Sequence, residues 1–325
     1  MRPALRSLRL TTPLGSLCLA ALGLAGCAST PDEAQPSSLD DTAFNVAGGV
    51  TMERLVDGPI GEFLTHVSGQ IQAWSNYQLS VSKKDVPRRR AVENDLQRLT
   101  RTREEELVHE LQTGAPRNRA ISAAALGFTR SETALGPLLA AVDDADGEVQ
   151  RNALFALGVL ADPDTILDPV LEQVTDAVSE KTRLNASYAV MQVLGSRELD
   201  TRLNTEERHL EALRSALFDP EPGVRVHAAK AIQLTGDVES LEILGDLLED
   251  DAALVCRAAA QAIRGVGEKR DEHYFDAAQL LFESWQESKG TKKSLLYQEM
   301  ALLAGQAWSD KELDRWRAWA YSSNR

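Results

Sequence analysis

A small-residue element recurs through the middle of this chain: Ala-x-x-Ala followed by an aliphatic residue. It reads Ala153, Ala156, Leu157; Ala186, Ala189, Val190; Ala228, Ala231, Ile232; and Ala259, Ala262, Ile263, with Ser122, Ala125, Leu126 ahead of them. The first positions lie 31, 33, 42 and 31 residues apart, and a period that persists through four intervals marks a stacked repeat array instead of one enlarged core. Alanines one turn apart strip bulk from a helix face, so neighbouring helices approach closely, while the Leu, Val or Ile that follows fills the space between layers. Each copy is followed by a break and a second apolar stretch: Leu135 to Val142, Ile166 to Val174, Leu210 to Phe218, Leu241 to Leu248 and Phe275 to Phe282. The unit is therefore a helix pair. One pair cannot cover both of its faces, and stacking supplies the cover. The expected fold is all-α, an α-solenoid of antiparallel helix pairs over residues 115–290.

The flanks read as helical too. Ile60, Phe63, Leu64, Val67, Ile71 and Trp74 recur at three- and four-residue steps, which sets them on one face of a helix beginning near Pro59. A second long helix is expected from Arg88 to Gln112, striped by Val92, Leu96, Leu99, Leu107 and Leu111 and stopped by Gly114. Residues 51–114 thus form a helical lead-in. Residues 291–325, with Trp308, Trp316, Trp319 and Tyr321, form an atypical last unit, expected to cap the open end.

The first 50 residues differ in kind. Arg2, Arg6 and Arg9 precede an uncharged stretch from Leu14 to Leu24, too short for the roughly 20 residues that span a bilayer but right for an export signal. Leu24-Ala25-Gly26-Cys27 resembles the lipobox of bacterial lipoproteins. The resemblance implies removal of residues 1–26, a lipid on Cys27, and residence in the cell envelope. By the family's sorting rule Ala28, not being Asp, implies the periplasmic face of the outer membrane in a Gram-negative cell. Residues 27–50, rich in Ser, Thr, Pro, Asp and Ala, are expected to be a tether.

Without the three signal arginines, 32 Lys and Arg face 49 Asp and Glu, a formal charge of −17. Such a surface repels phosphate backbones. The one basic cluster, Lys83, Lys84, Arg88, Arg89 and Arg90, is followed by Glu104, Glu105 and Glu106 in the same predicted helix, so no nucleic-acid partner is expected.

Val149-Gln150-Arg151-Asn152-Ala153-Leu154-Phe155-Ala156-Leu157-Gly158 and Val224-Arg225-Val226-His227-Ala228-Ala229-Lys230-Ala231-Ile232 resemble the first helix of HEAT repeats, in the short form of proteins similar to phycobilin lyases. Ala161-Asp162 and Gly236-Asp237 resemble the family's turn. The resemblance runs from about Arg117 to Phe282 and implies that the second helices line a concave face. The third unit carries about ten extra residues around Arg197 to Glu206, expected to emerge as a loop on one edge.

Chemistry is sparse. None of His66, His109, His209, His227 and His273 pairs at the four-residue spacing of a zinc site, and His109-Glu110 stands alone. Asp144-Ala145-Asp146-Gly147 lacks the flanking acids of a calcium loop, Val142 and Ala153 standing where those would be. Cys256 occupies the place that Arg225 has in the preceding unit and has no histidine near it in sequence. No catalytic residue, metal site or cofactor is expected. What does recur is acid in the turns between units: Asp143, Asp144 and Asp146; Asp219 and Glu221; Glu249, Asp250 and Asp251. Stacking would align these as a negative rim. They either cap the following helices or dock a basic partner. The function expected is a membrane-anchored, non-catalytic scaffold for a protein partner. The alternatives are a tetrapyrrole lyase or chaperone, implied by the phycobilin-lyase resemblance alone, and an envelope assembly factor acting through the Arg197 to Glu206 insertion.

Overall fold

The computed structural model describes residues 52–79 and 82–322, and every regular element among them is helical. The lead-in comprises α1 (Met52–Asp57), α2 (Ile60–Leu79), α3 (Asp85–Thr102) and α4 (Glu104–Thr113). Pro59 stands just before α2, its carbonyl accepting from the amides of Glu62 and Phe63, and Phe63, Leu64, Val67, Ile71 and Trp74 are all buried. The single helix expected over Arg88 to Gln112 is instead two, broken at Arg103, where φ is −128° and ψ is 28°. The cause is tertiary. The Arg103 guanidinium is buried, donates to the carbonyls of Leu55 (3.3 Å) and Gly58 (2.9 Å), pairs with Glu106 and lies over the Phe63 ring. Those bonds fasten α1 and the turn after it to α4 and outweigh an unbroken helical ladder.

Five helix pairs follow: α5 (Pro116–Leu126) with α6 (Leu135–Ala140), α7 (Gly147–Leu160) with α8 (Asp168–Thr175), α9 (Glu180–Ser196) with α11 (Glu207–Ala216) beyond the inserted α10 (Leu199–Leu203), α12 (Pro222–Thr235) with α13 (Leu241–Asp246), and α14 (Ala253–Lys269) with α15 (Tyr274–Glu287). The first helices stack on one another in order, and the repeated Ala, Ala and aliphatic residues lie at the interfaces, none more than 1% exposed. Packing there is close enough to require glycine. A Cβ on Gly127 would stand 2.7 Å from the Ala156 Cα, and one on Gly158 would stand 2.6 Å from the Tyr188 ring. A row of rings runs through the stack from Trp74 past Phe128, Phe155 and Tyr188 to His227, with successive centroids 5.2 to 6.4 Å apart.

Polar side chains tie unit to unit. Asn152 Nδ2 donates to the Ala120 carbonyl (2.8 Å) and Asn185 Nδ2 to the Arg151 carbonyl (2.9 Å), so each layer satisfies a backbone group of the one before. At helix ends arginines hold the turn of a neighbouring unit, Arg101 that of the unit after it and Arg197 and Arg270 that of the unit before. Arg101 donates to Thr129 O (2.7 Å), Arg197 to Pro163 O and Thr165 O (3.0 and 2.8 Å), and Arg270 to Gly236 O (3.0 Å). Arg270 also reaches Leu203 O at 2.8 Å. The insertion is therefore not the open loop expected from its length. It is a short helix fixed by Arg197 at its start and by Arg270 at its end.

The last two helices, α16 (Gly290–Ala304) and α17 (Leu313–Ala320), close the stack. Trp316 is fully buried, its ring 5.0 Å from that of Trp308 and 5.6 Å from that of Trp319, which are partly buried, while Tyr321 stays exposed and donates to Glu283. Arg264 of α14 reaches Glu299 of α16 at 2.6 Å.

Candidate functional site

The turns leading from each second helix into the next first helix form one edge of the stack, and the eight rim carboxylates all lie there. Their roles differ. Asp144, Asp219 and Asp250 each receive an arginine from the first helix of the preceding unit: Arg119 at 2.6 Å, Arg183 at 2.6 Å and Arg225 at 2.9 Å. Each carboxylate also accepts the amide two residues ahead, from Asp146, Glu221 and Ala252 respectively. One Asp thus closes its own turn and bolts that turn to the unit behind it. The Asp219 and Asp250 pairs are bidentate, the geometry in which guanidinium and carboxylate bind best. Arg183 additionally donates to the carbonyls of Ala177 and Val178, and Arg225 to those of Asp219 and Pro220.

Asp146 and Glu221 cap α7 and α12, accepting from Glu148 and Val149 in the first case and from Gly223 in the second. Asp143 accepts from Gln173, whose own Oε1 takes the Gln150 amide. Gln150 stands where three of the other units have the rung arginine, Arg119, Arg183 and Arg225. Glu249 pairs with Lys292, and Asp251 is exposed. Most of the rim's charge is thus spent inside the fold, holding the edge rigid. Cys256 closes the series with a weaker link, its thiol donating to Asp250 O at 3.0 Å; burial, with Asp250 beside it, pushes the thiol above its ordinary range. That is the opposite of what a nucleophilic cysteine needs.

On this same edge the chain exposes apolar side chains: Val178 (98%), Phe218 (68%) and Leu254 (37%). Arg183 contacts both the Val178 turn and Asp219, and Arg225 contacts both Pro220 and Asp250, so the three turns are contiguous. Between the starts of α12 and α14 lies an apolar cleft of about 360 Å³, bounded by Glu221, Pro222, Gly223, Val226, His227 and Ala252 to Leu254. Nothing in the sequence flagged Val178, Phe218 or Leu254.

The opposite edge is also braced. Arg214 holds Asp237 through two bonds of 2.6 and 2.8 Å, with Glu207 and Glu239 alongside, and Ser240 donates to Asp237. Burial works to raise the Asp237 carboxyl, but the bonds from Arg214 and Ser240 outweigh it and hold the group below its ordinary 3.8. A depressed carboxyl contributes stability above its unfolded value and loses it as pH falls through the folded one. Asp237→Asn is therefore expected to cost about 1–2 kcal/mol at neutral pH. The deficit relative to the native chain should narrow below about pH 3.8. Denaturant titrations across that range check it, and a pH-independent deficit would contradict it.

The histidines are dispersed. His209 meets Asp168 at 3.0 Å between α11 and α8, and bonds from His209 and Arg208 keep that carboxyl low. His227 is buried against Ser187 and Tyr188, His273 pairs with Asp276 on its own turn, His109 meets Thr113, and burial lowers the His66 imidazole below its ordinary value. The lipobox Leu24 to Gly26, Cys27 and the tether lie outside the described residues.

The family model for HEAT repeats matches residues 169–264. No curated protein matches the sequence. Among solved structures an engineered protein superposes with a TM-score of 0.51 at 16% identity, covering 77% of each chain. A designed armadillo repeat protein gives 0.50 at 22% identity, over 61% of this chain and 98% of that one. The complex of CpcE and CpcF of phycocyanin lyase from a Nostoc species gives 0.39 at 20% identity, over 49% and 97% of the two chains, a superposition from which nothing about activity follows. Below a quarter identity the designed and engineered proteins speak to fold alone. Over residues 169–264 the chain matches HEAT repeats, and the fold of the described stack is an α-solenoid.

Proposed function

We propose that this chain is a non-catalytic, protein-binding scaffold of the cell envelope, held at a membrane by a lipid on Cys27. The observation that carries the binding reading is the turn edge, where exposed Val178 and Phe218 sit on turns, and Leu254 at the start of α14, beside the Arg183 and Arg225 rungs. Exposed apolar groups on a rigid frame lose little freedom on association, which is what lets a modest contact area yield useful affinity. A repeat stack also offers a long surface on which several weak contacts add.

The anchor rests on Leu24-Ala25-Gly26-Cys27. No helix among the described residues is long and apolar enough to cross a membrane. One acyl chain binds membranes only marginally and stable anchoring takes more than one, which a diacylglyceryl cysteine with a further acyl group supplies. Cys27→Ser is expected to move the protein from the membrane pellet to the soluble envelope fraction, with loss of the lipid mass from the N-terminal peptide. A native protein found soluble, with an unmodified Cys27, would refute the anchor.

A further inference from the structure

We infer that the cleft between the starts of α12 and α14 seats one apolar anchor side chain from a basic segment of a partner protein. The inference rests on the scaffold reading and narrows it to one site.

The cleft has a local cause. At the preceding interface, between α9 and α12, Leu184 fills the corresponding space so fully that a Cβ on Gly223 would lie 2.6 Å from its Cδ1. One unit on, the same two positions hold Val226 and Leu254, and the bulk that Leu254 adds is turned partly to solvent, where it is 37% exposed, instead of filling the space over Val226. Ala252 and Ala253 add no bulk. The floor is left to Val226 and His227, 7% and 2% exposed, and about 360 Å³ stays open. That space takes a leucine or phenylalanine side chain. The walls do not collapse onto it because the Arg183 to Asp219 and Arg225 to Asp250 pairs fix both turns.

Charge selects the partner. With the rung arginines neutralised and Glu249 paired to Lys292, the cleft keeps the carboxylate of its wall residue Glu221 and that of Asp251, next to the wall residue Ala252, against Arg257 one turn further along α14. The balance is negative on a chain that is negative as a whole. A segment bringing Lys or Arg on either side of its apolar anchor meets attraction, and an acidic one meets repulsion.

The test uses the full folded chain and three labelled peptides of Lys and Gly: one with a central Leu, one with Ala in its place, and one with Glu replacing every Lys. Fluorescence anisotropy should show the Leu peptide binding at least about tenfold tighter than its Ala twin. Its affinity should fall from about 50 to about 500 mM salt, and the Glu peptide should not bind. Ala253→Trp, at an exposed first-turn position that fills the cleft from above, should abolish the preference for Leu, with Ala253→Lys as a second variant that repels the basic flanks. Both must melt as the native chain does. Absence of binding, equal binding of the Leu and Ala peptides, or an Ala253→Trp chain that binds like the native one would each overturn the cleft. Partner capture in cells separates the two readings. A partner retained by Ala253→Trp removes the cleft and leaves the scaffold, whereas Leu-peptide binding with no cellular partner leaves the cleft and removes the scaffold.

Discussion

Leu157→Asp is expected to cost about 3–5 kcal/mol of stability, the largest effect of any substitution considered for this chain. Leu157 is fully buried on α7, the helix that packs between α5 and α9. A carboxylate placed there has no cationic partner in the layer, so it either stays charged at the full desolvation penalty or takes up a proton at a cost in stability at neutral pH. In a stack whose stability sums nearest-neighbour interfaces, one failed interface also uncouples what lies on either side. Denaturation followed by circular dichroism should therefore show a lower midpoint and a broadened or split transition. Leu254→Asp is the matched control. At 37% exposure it should change stability by no more than about 0.5 kcal/mol. Equal melting of Leu157→Asp and the native chain would mean that the repeat register is wrong.

The second large effect concerns the rungs. Exposed ion pairs are commonly worth less than about 1 kcal/mol, but Arg183 and Asp219 are only 14% and 8% exposed in their side chains and meet through two bonds. Asp219→Ala leaves the guanidinium uncompensated and also removes the acceptor for the Glu221 amide. A cost of about 2–4 kcal/mol is expected. Asp219→Asn, which keeps the turn bond and loses the charge, should cost about half as much. A double-mutant cycle with Arg183→Ala isolates the pair, with an expected coupling of about 1–2 kcal/mol. A coupling near zero would reduce the rungs to surface decoration and with them the argument that the turn edge is held rigid.

The solenoid was legible because its signal is local and repeated: Ala153, Ala156 and Leu157 and their copies report a tight helix interface wherever they occur, and all of them are buried. The break at Arg103 was not, because the reason for it lies at Leu55 and Gly58, far back in the chain. The insertion read as a loop for the same reason, since Arg270, which fixes its end, comes 67 residues after Leu203. The rim is the instructive case. Asp144, Asp219 and Asp250 carry the local mark of turn acids, and that part could be read. Their arginines lie 25 to 36 residues earlier, three positions before the first small residue of the repeat at Arg119, Arg183 and Arg225. The register that aligned Cys256 with Arg225 already contained that ladder, but only stacking turns a shared register position into a contact. The cleft depends on less still, on a Leu254 at the position of Gly223 that turns partly to solvent over Val226, and a single chain read without its fold gives such differences no meaning.

The claim that this protein acts by presenting a surface at a membrane is tested most directly by crosslinking in intact cells, affinity purification and mass spectrometry, comparing the native chain with Cys27→Ser. The account predicts one envelope protein recovered strongly with the native form and weakly with the variant. Recovery of no specific protein by either form, together with a bound small molecule or a shifted spectrum of an added tetrapyrrole, would contradict it.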